Sequence, residues 1–145
     1  MYIKQISIFV ENKPGRLADI TGILADNKID IRALSIADTT DYGILRLIVN
    51  DPDTALEKLK AAGITSSITN VLAIGIPDEA GAFSDAIRTL SAKGINVEYA
   101  YAFITPEAGA AYVIIRVEDN DAAAEALKGT SIKLIGQQEI FNQSK

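Results

Sequence analysis

Histidine and cysteine are both missing from the 145 residues. Without cysteine there is no disulfide, no thiolate-held metal and no thiol nucleophile. Without histidine the chain lacks the usual general base near neutral pH, the Ser-His and Cys-His couples, and the commonest transition-metal ligand. Positive charge is also scarce. Lys and Arg number 14 against 19 Asp and Glu, and the resulting net charge of -5 opposes nucleic-acid backbones and anionic membranes. No apolar run approaches the roughly 18 residues of a membrane-spanning helix, and the opening "MYIKQISIFVENK" lacks the layout of a signal peptide. The expectation is a cytoplasmic soluble protein that is not an enzyme, holds no metal or cofactor, and has no nucleic-acid or membrane partner. The carboxylates Asp51, Asp53, Glu118, Asp119 and Asp121 gather near helix starts, where capping accounts for them.

What is present is a repeat. "IFVENKPGRLADITGILADNKIDI" aligns with "IGIPDEAGAFSDAIRTLSAKGINV" without a gap, placing Gly15 on Gly81, Leu17 on Phe83, Leu24 on Leu90 and Asp30 on Asn96. Downstream, "RLIVNDPDTALEKLKAAGI" aligns with "IIRVEDNDAAAEALKGTSI" once two extra residues are allowed in the second copy around "TPEAGA".

Each copy reads strand, helix, strand, strand, helix, strand. Ile6, Ile8 and Val10 alternate as a strand face, while Leu17, Ile20 and Leu24 recur at helical spacing over residues 16 to 27. Residues 31 to 38 and 43 to 50 alternate again across "TTDYG", a hairpin. Asp51 before Pro52 starts a second helix and Gly63 stops it; in the second copy Gly94 ends the first helix, and Asp119 or Asp121 caps the second. Glycines 75, 81 and 94 are read as turn residues. The pattern predicts an α+β fold of two ferredoxin-like βαββαβ sandwiches with antiparallel sheets, closely paired. The domains divide at 1–70 and 71–145. The segment "LAIGI" must end one copy and begin the next, so either one long strand runs between two sheets or the copies share the strand at 69–76. Ile44 and Ile48 oppose Leu45 and Leu47, so both strand faces are apolar and the second face is expected to be covered.

The Pro-Gly pair in "ENKPGRLADI" turns the chain from strand to helix. A helix start leaves backbone N-H groups free for a carboxylate or phosphate, although Pro-Gly also serves simply to make a corner. Tyr99, Tyr101 and Phe103 alternate on one strand face, a pattern of sheet packing more than of base stacking.

The stretch "NKPGRLADITGILADNKIDIRALSI" resembles the signature of the ACT domain family, strongly over Ile6 to Val49 and more loosely in the second copy, where Ala80 replaces the proline. The resemblance implies a tandem ACT domain protein: a non-catalytic, allosteric regulatory or sensor module that binds a small ligand, typically a free amino acid, at the interface between paired domains. It places the ligand loops at Asn12, Lys13, Pro14, Gly15, Arg16 and Leu17, and at Asp78 to Phe83 with Gly81 and Phe83 in the corresponding places. It places at Asp30 and Asn96 the polar residues that reach a ligand from the opposite partner, so that Asn96 is expected to face the first loop and Asp30 the second. Asn12 and Asp78 also suit ordinary turns, and Asp30 and Asn96 suit loop closure. Expected partners are an amino acid and either a metabolic enzyme or further copies of the chain. The alternatives are a regulatory subunit of a biosynthetic enzyme such as acetolactate synthase, or an interaction module without ligand. An acylphosphatase reading founders on a Pro-Gly turn that cannot present a run of amides around Arg16. By charge, Lys13 and Arg16 make the first loop the better carboxylate site, whereas Asp78 and Glu79 weaken the second.

Overall fold

A computed structural model describes residues 2–38, 40–103 and 108–142. The chain runs β1 (Ile3–Glu11), α1 (Arg16–Asp26), β2 (Ile31–Asp38), β3 (Tyr42–Val49), α2 (Pro52–Ala61), β4 (Ser66–Pro77), α3 (Ala82–Ala92), β5 (Val97–Phe103), β6 (Ala110–Val117), α4 (Asn120–Leu127), β7 (Lys133–Ile135) and α5 (Gln137–Asn142). The short α5 was not anticipated. Thr39 of the first hairpin and Thr105 to Glu107 of the second lie outside the described residues.

Two compact units result, one of Lys4–Thr69 and one of Met1–Ile3 with Asn70–Lys145. In the first, the strand order is β2-β3-β1-β4. Both β1 and β2 pair antiparallel with β3, through Ile8↔Leu45 and Ile36↔Leu45. In the second, β4 pairs antiparallel with β6 and with β7, and β5 lies beyond β6. Strand β4 is continuous over 12 residues and passes through the boundary between the units, so the segment that had to serve both copies is one long strand.

The pleat sends alternate side chains to opposite faces, and the helices take one of them. Ile6, Ile8, Leu45 and Leu47 pack with Ile20 and Leu24 of α1 and Leu59 of α2. Leu72, Ile74, Val113 and Ile115 pack with Leu90 of α3 and Leu127 of α4. The other face of β3 is not left in water either, since Ile48 is fully buried. Gly75 departs from the sequence reading: it sits inside β4, paired with Tyr112 and Lys133. A Cβ there would lie 3.1 Å from Ile135 Cδ1 and 3.5 Å from Tyr112 Cε1, so glycine lets β7 approach.

The second helix of each copy starts on an aspartate. Asp51 accepts a hydrogen bond from Thr54 N-H at 3.1 Å, and Asp119 accepts one from Ala122 N-H at 3.0 Å, which resolves the choice between Asp119 and Asp121. The Thr54 bonds hold the Asp51 carboxyl below the usual range. Its folded pKa is therefore the lower one, so the cap stabilises the protein above the ordinary aspartate pKa of about 3.9 and is lost as pH falls through the folded value. Asp51→Ala is expected to cost about 1 kcal/mol at pH 7 by urea unfolding. That cost should shrink toward zero in strong acid; a pH-independent cost would mean the carboxylate is not the cap.

Candidate functional site

The first helix of each copy starts differently from the second. Gly15 and Gly81 occupy the N-cap positions of α1 and α3 with φ of +88° and +89°, and neither helix has a side-chain cap. Glycine reaches this left-handed backbone without the Cβ penalty. The turn is closed by the backbone: Arg16 N-H donates to Lys13 O and Ala82 N-H to Glu79 O. Among the described residues, the Leu17 and Ala18 N-H groups, and those of Phe83 and Ser84, find no hydrogen-bond acceptor. Thus each copy has a repeated, uncapped helix start with two outward backbone donors.

In the first loop, Asn12 N-H donates to Asp41 O and its side-chain Nδ2 donates to Thr40 O at 3.1 Å, so this residue ties the turn to the β2–β3 hairpin. Lys13 and Arg16 do not offer the free positive charge expected of them. Glu11, at the end of β1, lies 3.0 Å from Lys13 Nζ and 3.9 Å from Arg16 Nε, while Arg16 also reaches Asp19 at 3.7 Å. The Lys13 hydrogen bond, then the charges of Lys13 and Arg16, hold the Glu11 carboxyl below its usual range. The loop's cations are matched by acids, which removes most of the electrostatic advantage inferred from the sequence.

The second loop repeats the backbone tie, with Asp78 N-H donating to Gly109 O at 3.0 Å. Asp78 and Glu79 are exposed and form no ion pair with a described residue.

Asp30 and Asn96 stand elsewhere in their own units. Asp30 follows α1 and precedes Ile31, which pairs with Val49 at the far end of β3 from Tyr42, the residue opposite Glu11. Its carboxylate accepts from Arg32 at 2.7 Å, and its N-H donates to Asn50 Oδ1 at 2.9 Å. Asn96 lines a polar cavity with Lys93, Glu98, Arg116 and Glu118. Within one unit, then, neither residue is brought to its own loop.

Beside each glycine-led helix start lies a cavity in the same place in the two copies. In the first, Val10, Asn12, Leu17, Ile36 and Gly43 enclose about 140 Å³. In the second, Ile76, Phe83, Ala100, Ala102 and Val113 line about 410 Å³, with Asp78 and Glu79 completing the wall. Small-molecule pockets occupy roughly 300–1,000 Å³, so of these two equivalent cavities the second has room for a ligand. A separate cavity of about 310 Å³ lies on the other side of the first helix start, lined by Glu11, Arg16, Asp19 and Ile20. Ala100 and Ala102 were missed in the sequence. Continuing the repeat through the second strand of each copy sets Ala100 against Leu34 and Ala102 against Ile36, and that contrast was the available signal.

Among the described residues no group of His, Cys, Asp and Glu could hold a metal ion, and no helix is long and apolar enough to cross a membrane. A family model described as an ACT domain pair matches residues 1–143. The structure is similar to protein BT0572 from Bacteroides thetaiotaomicron, with 40% identity and a TM-score of 0.91, covering 97% of this chain and 96% of that one. It is also similar in fold to the ligand-free regulatory subunit of aspartate kinase from Thermus thermophilus, with 19% identity and a TM-score of 0.62 over 86% of this chain and 89% of that one. No protein of curated function matches the sequence.

Proposed function

The chain belongs to the ACT domain pair family, a family of regulatory modules, and on that premise we propose that it is a non-catalytic sensor whose ligand is a free amino acid. The two ACT copies correspond to residues 1–70 and 71–145, with the long strand β4 common to both. The observation that carries the reading is the repeated glycine-led, uncapped helix start beside a cavity. Backbone donors at a helix start suit an α-carboxylate, and a side-chain oxygen nearby suits an α-ammonium group. Asn12 to Leu17, Asp78 to Phe83, and the polar residues Asp30 and Asn96 are the candidate contacts.

The protein it informs is a metabolic enzyme. Support comes from the fold shared with a regulatory subunit of aspartate kinase. The acetolactate synthase alternative has no comparable support.

A thermal-shift screen with the twenty amino acids tests the reading. A ligand present at one hundred times its Kd should add about 2.7 kcal/mol to apparent stability. For a chain of this size that is a rise of several degrees in Tm. If no amino acid shifts the transition, the ligand-free interaction module becomes the better account.

A further inference from the structure

We infer that the second-copy cavity is the ligand's side-chain pocket, that it accepts an amino acid with an apolar side chain, and that Ala100 and Ala102 make this possible. The inference rests on the amino-acid reading above and adds which copy binds, and what.

The two cavities differ in their walls: Ile36 and Tyr42 line the first where the repeat sets Ala102 and Ala110 in the second, and Ala100 lines the second. On β5, Ala100 pairs with Ile115 and Ala102 with Val113, so both alanines lie on the helix-facing side of the sheet. On β2, Leu34 pairs with Leu47 and Ile36 with Leu45, which puts Leu34 and Ile36 in the equivalent places. Sequence offset and strand register therefore agree on the correspondence. In the first copy Ile36 lines the cavity beside the helix start, while Leu34, 58% exposed, stands outside its wall. In the second, Ala100 and Ala102 are both in the wall of about 410 Å³ of open space.

The lining then selects the occupant. Ile76, Val113 and Phe83 with the two alanines give apolar walls, which favour burial of an aliphatic or thioether side chain. Among the described residues, Asp78 and Glu79 are the charged groups in the cavity wall, and neither forms an ion pair there. They repel a simple carboxylate but attract the ammonium end of a zwitterion, whose carboxylate then turns to the Phe83 and Ser84 N-H groups. An acidic side chain on the ligand would meet these carboxylates, and glycine would leave the apolar volume unfilled.

Isothermal titration with L-leucine, L-isoleucine, L-valine and L-methionine, with glycine and L-aspartate as controls, tests this. One or more of the four should bind the wild-type chain with one equivalent per chain, and the controls should bind at least tenfold more weakly. Ala100→Leu with Ala102→Ile, which copies the first unit, should weaken that binding at least tenfold while thermal unfolding stays cooperative. The converse pair, Ile36→Ala with Tyr42→Ala, the large residues lining the first cavity, should raise the stoichiometry toward two. Undiminished affinity in the filled variant, or preference for L-aspartate, overturns the inference and leaves the amino-acid reading standing. Failure of all twenty amino acids to bind wild type overturns that reading itself, and this inference with it.

Discussion

Gly81→Val should abolish ligand binding, whereas Gly15→Val should leave it nearly intact, although the two substitutions should cost similar stability. The glycines hold nearly equal backbones, at φ of +89° and +88°, and a Cβ at either would meet nothing within 4 Å. Crowding is therefore not the cost. The strain is that of a β-branched residue forced into the left-handed region, about 1–3 kcal/mol. Part of it is relieved if the turn abandons positive φ, which would swing the first amides of the helix away from their present direction. Next to Gly81 the residues Phe83, Asp78 and Glu79 line the roomy cavity, while the equivalent cavity beside Gly15 is about 140 Å³. Titration calorimetry with the amino acid identified by thermal shift should show at least a tenfold loss for Gly81→Val. Gly81→Asn, which tolerates the left-handed region better, should recover part of the affinity. Equal losses at the two glycines would place a binding contact in the first loop as well. No loss at either would reduce both to corner residues.

A larger stability effect is expected in the cores. Leu24→Ala and Leu90→Ala should each cost about 3 kcal/mol, within the 2–5 kcal/mol range for emptying a packed leucine site. Both leucines are fully buried under corresponding helices, one against Ile6, Ile8 and Leu47 and the other against Leu72, Ile74 and Ile115. The cost combines lost transfer energy with the cavity left behind, since close-packed neighbours relax only in part. Urea unfolding should show a lower midpoint for each variant. A loss below about 1 kcal/mol would mean that the helix does not pack on the sheet through that residue.

The repeat and its elements were legible because they rest on local chemistry. Alternation over Ile6 to Val10, helical spacing over Leu17 to Leu24, Asp51 ahead of Pro52 and the paired glycines each declare themselves within a few residues. The left-handed turns at Gly15 and Gly81 are permitted by glycine but not dictated by it, and the structure is what places both at positive φ. Charge was less well served by proximity in sequence. Lys13 and Arg16 looked free until the end of β1 placed Glu11 between them, with Asp19 one helical turn on.

Composition and periodicity, then, determined on their own the α+β class, the duplication, the Asp51 cap and the exclusion of histidine and thiol chemistry, since each follows from residue type or from spacing along one element. Tertiary structure decided the rest. Gly75 reads as a turn until Ile135, distant in sequence, packs against it. Ala100 and Ala102 read as unremarkable strand residues until their register with Ile115 and Val113 puts them on the helix-facing side of the sheet, in the places that Leu34 and Ile36 take in the other copy. Whether a helix start adjoins filled or open space depends on side chains from strands that only the fold brings alongside it. A pocket is a volume between elements, and no single element's sequence encodes it.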